Sequence, residues 1–165
     1  MIPNNETKIV KGATANTLVV TRSFNAPVEK VWQAWTDSRL LDEWWAPKPW
    51  KAVTVEFDFT EGGHWLYYML GPEGERHYCR ADYKTIEPLK RFSATDAFTD
   101  ENGVPNSEMP STHWENNFIA NGETTDIEIV LTYASEAELE TIVSLGFREG
   151  FSMGLANLEE LLAIK

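Results

Sequence analysis

The chain has 165 residues, 42% of them hydrophobic and 24% charged, which suits one globular domain with its own core and excludes a mainly disordered chain. Its 14 Lys and Arg against 26 Asp and Glu leave a formal net charge of -12, which repels phosphate backbones, so no nucleic-acid partner is expected. No run approaches the roughly 18 consecutive apolar residues of a spanning helix, so no membrane span is expected either.

The whole chain, 1–165, reads as a single domain whose first dozen residues form a flexible tail. Met1 to Glu6 carries no basic region ahead of an apolar run, so no secretory signal is expected. Thr17 to Phe24 is β-branched and partly alternating, the pattern of a strand. Pro27 suits a helix start, and Val28, Val31, Trp32 and Trp35 then recur at i, i+3, i+4 and i+7, one helical face of core packing. Asp37 and Ser38 can cap a second short helix carrying Leu40, Leu41 and Trp44, which Pro47 and Pro49 end.

Beyond the prolines the period changes to two. Val53, Val55, Phe57 and Phe59 alternate with polar residues, which predicts a strand with one buried face. A second strand runs from about His64 to Leu70, and Gly71-Pro72-Glu73-Gly74 then reads as a tight turn. A bulge at Gly74 would pair Met69 with His77, Tyr67 with Cys79 and Trp65 with Ala81. That register sets Trp65, Tyr67, Met69, Cys79, Ala81 and Tyr83 on one face; a slip of one residue would mix this set with the polar one. Phe92 to Phe98 reads as the next strand, followed by a polar loop to Pro110. Trp114, Asn116 and Phe118 share a face of another strand, Asn121-Gly122 marks a hairpin, and Ile127 to Tyr133 alternate beyond it. Ser135 with Glu138 forms a capping box, Gly146 breaks or kinks that helix, and a longer helix follows with Phe147, Phe151, Leu155, Leu158 and Leu162 near one side. The fold class is therefore α+β, with an antiparallel meander of about seven strands, two short helices after the first strand and a long C-terminal helix.

This order, with Ala26-Pro27-Val28, Trp44-Trp45-Ala46-Pro47, Glu61-Gly62-Gly63, Gly71-Pro72-Glu73-Gly74, Ile86-Glu87-Pro88 and Gly150-Phe151 through Gly154, resembles the START-like (SRPBCC) superfamily. Within it the chain looks most like the family named after the activator of the ninety-kilodalton heat-shock protein ATPase. The resemblance runs from about Leu18 to Leu162. It implies a helix-grip fold, a curved antiparallel sheet around a long C-terminal helix with a cavity between them. Its members include lipid and polyketide binders, co-chaperone domains and a few enzymes, so fold alone does not give function.

Trp65, Tyr67, Met69, Tyr83, Trp114, Asn116 and Phe118 from the sheet, with Phe147, Gly150, Phe151 and Gly154 from the last helix, are the candidate cavity lining. Trp45 and Trp50, flanking a Pro-rich loop, are candidates for its mouth. The polar tips among them can satisfy one another or orient a ligand. Gly146, Gly150 and Gly154 recur every four residues along one helical stripe. Their missing side chains leave either room for a ligand or close approach of helix and sheet. His77, Cys79 and His113 lack metal-ligand spacing, and no nucleophile elbow, P-loop or dinucleotide fingerprint occurs, so no catalytic residue, metal or cofactor is assigned. The lone Cys79 cannot form an internal disulfide, which agrees with a cytoplasmic location. A small apolar ligand is the leading partner. A chaperone ATPase is the alternative, and an aromatase/cyclase- or hydrolase-like enzyme using Tyr67 or Tyr83 is a third reading.

Overall fold

In the computed structural model, which describes residues 6–163, strand formation begins earlier than the sequence reading allowed. The elements are β1 (Lys8–Lys11), β2 (Thr17–Phe24), α1 (Val28–Thr36), α2 (Ser38–Trp44), β3 (Lys51–Phe57), β4 (His64–Leu70), β5 (Arg76–Glu87), β6 (Arg91–Thr99), β7 (Thr112–Asn121), β8 (Thr124–Thr132), α3 (Glu136–Ser144) and α4 (Phe147–Ala163). The expected tail is thus corrected in part. Residues 1–5 lie outside the described residues, while Lys8–Lys11 pair antiparallel with β2, Ile9 opposite Val20. This extra strand makes the sheet eight-stranded rather than about seven-stranded. Its order is β1-β2-β8-β7-β6-β5-β4-β3.

The chain leaves β2, forms α1 and α2, and restarts at the far edge with β3. It then meanders back until β8 pairs with β2 in antiparallel register, Leu18 opposite Leu131. This is the helix-grip architecture: the curved sheet closes around α4, and Leu155 and Leu158 of α4 are fully buried. Among the described residues, no helix is long and apolar enough to cross a membrane.

Local signals in the sequence account for the boundaries. The Asp37 side chain caps α2 by accepting from the Arg39 N–H, and Ser135 caps α3 by accepting from the Glu138 N–H. Gly146, at φ 94°, separates α3 from α4, a backbone conformation that side-chain-bearing residues rarely adopt. The β4–β5 hairpin has the expected register: Met69 faces His77, Tyr67 faces Cys79 and Trp65 faces Ala81. Strand β3 departs from expectation. Its register with β4 shifts between Thr54 and Glu56, so Val55 is a bulge on an edge strand, 49% exposed. The alternation therefore breaks: Ala52 and Thr54 turn inward before the bulge, and Phe57 packs against the core after it.

Candidate functional site

The hairpin register decides what the sheet presents to α4. Trp65, Tyr67 and Met69 of β4 stand beside Cys79, Ala81 and Tyr83 of β5, because side chains two apart share a face. On the next strands the same rule sets Phe92, Ala94, Asp96 and Phe98 of β6 beside Trp114 and Asn116 of β7, with Ala94 opposite Trp114 and Asp96 opposite Thr112. Phe147, Gly150 and Phe151 come down from α4. Two spaces lie between these walls. The outer one, about 240 Å³, is bordered by Met69, Cys79, Phe98, Phe147, Gly150 and Phe151 and by Pro47, Ile142 and Leu145 at its rim. The inner one, about 30 Å³, lies against Trp35, Trp65, Tyr83, Phe92 and Asn116, room for about one water molecule.

Trp45 stands between them. It borders both spaces, as do Tyr67, Asp96 and Trp114. Its ring packs at 5.5 Å from Trp65, 5.7 Å from Trp114 and 5.8 Å from Phe151 (centroid distances). Its indole Nε1–H donates to the Tyr67 hydroxyl at 2.9 Å, and Tyr67 itself stacks on Trp65 at 3.9 Å. Helix α4 holds Trp45 from behind. A Cβ on Gly154 would lie 3.1 Å from the Trp45 carbonyl oxygen, so glycine is what lets α4 approach α2 this closely. Asn157 Nδ2, buried, donates to the Ala46 carbonyl at 3.1 Å.

The stripe of three glycines therefore has three different explanations. Gly146 makes the turn between α3 and α4, and Gly154 is a close helix contact. Only Gly150 opens space: a Cβ there would meet nothing nearer than Pro47 Cγ at 3.7 Å.

Polar groups inside the site are few, and their state follows from burial. Asp96 is the one charged residue bordering either space, and no ion pair to it forms among the described residues. The residue as a whole is only half-buried, yet its carboxyl sits deeply enough among apolar walls that burial pushes its pKa up to about 7. The Trp114 indole and the Thr112 backbone and hydroxyl oppose that push. The Trp114 N–H nevertheless makes no hydrogen bond of normal geometry, and neither does the buried Asn116 Oδ1. Burial, with Asp96 nearby, pushes the Cys79 thiol up to about 12, so it is no thiolate nucleophile at neutral pH. Tyr67 is raised by burial and by Cys79 and Asp96, and Tyr83 by burial alone. Both remain protonated at neutral pH and can donate a hydrogen bond but not act as bases. No cluster of three or more potential metal ligands occurs among the described residues.

Several candidate residues lie where the sequence placed them: Trp65, Tyr67, Met69, Tyr83, Trp114, Asn116, Phe147, Gly150 and Phe151 all border one of the two spaces. Four do not stand as expected. Phe118 is core, packed edge-on at 5.1 Å from Trp32, because α1 covers that end of β7. Gly154 faces α2 rather than the cavity. Trp50 lies outside the cavity against His77, at 5.2 Å. Trp45 is an inner partition rather than a mouth residue, because the chain stays helical there and its N–H bonds the Leu41 carbonyl. The residue that sequence reasoning missed is Asp96. Its signal is an acid on the inward side of the alternation Phe92, Ala94, Asp96, Phe98.

Comparison with known proteins agrees with this geometry. The sequence model described as "Activator of Hsp90 ATPase homolog 1-like protein" matches residues 25–163. The chain belongs to this family. The match to the activator of Hsp90 ATPase homolog 1-like family spans every element from α1 to α4. Among solved structures, protein Ms6760 from Mycobacterium smegmatis is 31% identical over 96% of this chain and 98% of that one, with a TM-score of 0.88. A protein from Arthrobacter aurescens is 30% identical over 96% of this chain and 92% of its own, with a TM-score of 0.89. CalU16 from Micromonospora echinospora, at 19% identity over 96% of this chain and 86% of its own and a TM-score of 0.62, shares the fold. No curated protein matches the chain.

Proposed function

We propose that the protein binds a small apolar or aromatic molecule between the sheet and α4, with Trp45, Tyr67, Met69, Trp114, Phe147, Gly150 and Phe151 as its contacts. The observation that carries this reading is the outer cavity of about 240 Å³, kept open by a glycine in the first turn of α4. Glycine costs up to about 1 kcal/mol relative to alanine in a helix interior, and at Gly150 no packing contact demands it. The volume lies just below the roughly 300–1,000 Å³ of drug-sized pockets, so it suits a compact aromatic or short-chain molecule better than a long acyl chain. Burial of the ligand's apolar area drives binding, at about 25 cal/mol per Å² before ordering costs.

The chaperone-partner expectation rests on the family description alone, and no feature of the site favours it over the cavity. The cytoplasmic location belongs to the same proposal as the ligand.

Phenylbutanol, a neutral apolar test ligand, gives a direct check by tryptophan fluorescence. Gly150→Leu should weaken its binding about tenfold or more while the melting temperature is held or raised, because the new side chain projects into space rather than into packing. Unchanged affinity in this variant would remove the cavity as the binding site.

A further inference from the structure

The site has one chemical asymmetry that a purely apolar ligand leaves unused. Nearly everything around it is aromatic or aliphatic, its neutral polar groups are hydroxyls, indole N–H groups, a thiol and one amide, and its single charged group is an acid. Asp96 borders both spaces, at the junction where Trp45, Tyr67 and Trp114 also meet. Deeper in, Asn116 directs its Nδ2–H toward the Phe92 carbonyl at 3.4 Å, which leaves Oδ1 buried without a donor. No Lys, Arg or His borders either space, so no cationic side chain among the described residues pairs with the carboxylate. Aromatic rings beside a carboxylate form an environment suited to a cation, which a ring face can attract and the carboxylate can pair.

We propose that the ligand is an amphipathic amine, its apolar body lying among Trp45, Trp114, Phe147 and Phe151 and its protonated nitrogen on the Asp96 carboxyl. This rests on the cavity reading above and adds the chemical class of what fills it. A carboxylic-acid ligand is disfavoured by the same geometry, because its charge would face Asp96 with no cation to balance it. An alcohol would fit the apolar walls and could donate to the carboxylate, but it carries no positive charge to pair with it.

The groups facing Asp96 define its titration. They are Tyr67 of β4, Cys79 of β5, Trp114 and Thr112 of β7, and Tyr133 just beyond β8. Tyr67, Cys79 and Tyr133 are all raised by burial and stay neutral, and α4 contributes no charged group to the lining. In the empty protein the carboxyl, with its pKa up at about 7, is largely protonated under mildly acidic conditions. An amine must then displace that proton. Its affinity rises with pH up to the Asp96 pKa and levels off above it, until the amine itself loses its charge.

Three ligands of one shape separate the possibilities: phenylbutylamine, phenylbutanol and phenylbutyrate, titrated calorimetrically into the intact protein and into Asp96→Asn. In the intact protein at about pH 8 the amine should bind about tenfold or more tightly than the alcohol, and the butyrate weakest. Lowering the pH to about 6 should cost the amine close to tenfold and leave the alcohol nearly unchanged. Asp96→Asn should abolish both the amine preference and its pH dependence while phenylbutanol still binds. The pH series on the intact protein needs no substitution, so a poorly folding variant does not spoil the test. Alcohol binding with no amine preference, or a preference that survives in Asp96→Asn, overturns the amine proposal and leaves the cavity reading standing. If none of the three binds, both fall.

Discussion

Asp96 shows how one side chain's setting becomes a property of the whole fold. In an unfolded chain an aspartate titrates near about 3.9, whereas in the folded protein burial holds Asp96 at about 7. Between those values the folded state keeps a proton that the unfolded state has lost. The contribution of this group is therefore fully present below about pH 4, falls as the pH rises through about 7, and is constant above. Asparagine cannot ionise and carries no such penalty. The melting temperature of Asp96→Asn relative to the parent should consequently climb between about pH 4.5 and 7.5 and then plateau. A difference that stays flat across that range would mean the carboxyl is solvated like a surface acid. The residue was open to discovery in the sequence through the alternation of Phe92, Ala94, Asp96 and Phe98. Trp45 was not: whether a tryptophan beside a Pro-rich loop points outward or inward depends on one more residue of helical backbone after α2, which no local pattern specifies.

At the scale of elements, the contact between α4 and α2 is what positions the site. Gly154 lets the two helices touch, and Asn157 donates to the Ala46 carbonyl just beyond α2. Trp45 is thereby fixed as the partition between the two spaces. Gly150, one turn earlier on the same stripe, has open space instead. Alanine at the two positions should therefore act in opposite directions. Gly150→Ala should stabilise by up to about 1 kcal/mol through helix propensity, as read by chemical denaturation. Gly154→Ala should destabilise, because a Cβ at 3.1 Å from the Trp45 carbonyl oxygen forces backbone to give way. Equal effects at both sites would contradict this division. Periodicity predicted the stripe but could not divide it, since what each glycine meets belongs to another element. The same limit explains β3. The alternation Val53, Val55, Phe57 is plain in the sequence, and the bulge at Val55 follows from pairing at a sheet edge, where an extra residue is tolerated.

For the whole molecule, the meander, the β4–β5 register and the helix caps were legible because each rests on local chemistry: alternation, turn residues and side-chain caps. The face of β4 and β5 toward α4 followed from one turn, and with it one wall of the cavity. What was not legible is how far along the sheet the cavity extends. Trp114, Asn116 and Phe118 share one face of β7, yet α1 closes over Phe118 while α4 leaves Trp114 lining open space. This space is where the proposed ligand sits. The most direct test is a two-dimensional nitrogen–proton NMR titration of the isotopically labelled protein with phenylbutanol. A ligand seated there should give saturable shifts of the Trp45 and Trp114 indole N–H signals and of the Gly150 amide, with the buried Trp44 indole, bonded to the Ala34 carbonyl, unmoved. Shifts confined to surface amides, or no shifts at all, would contradict it.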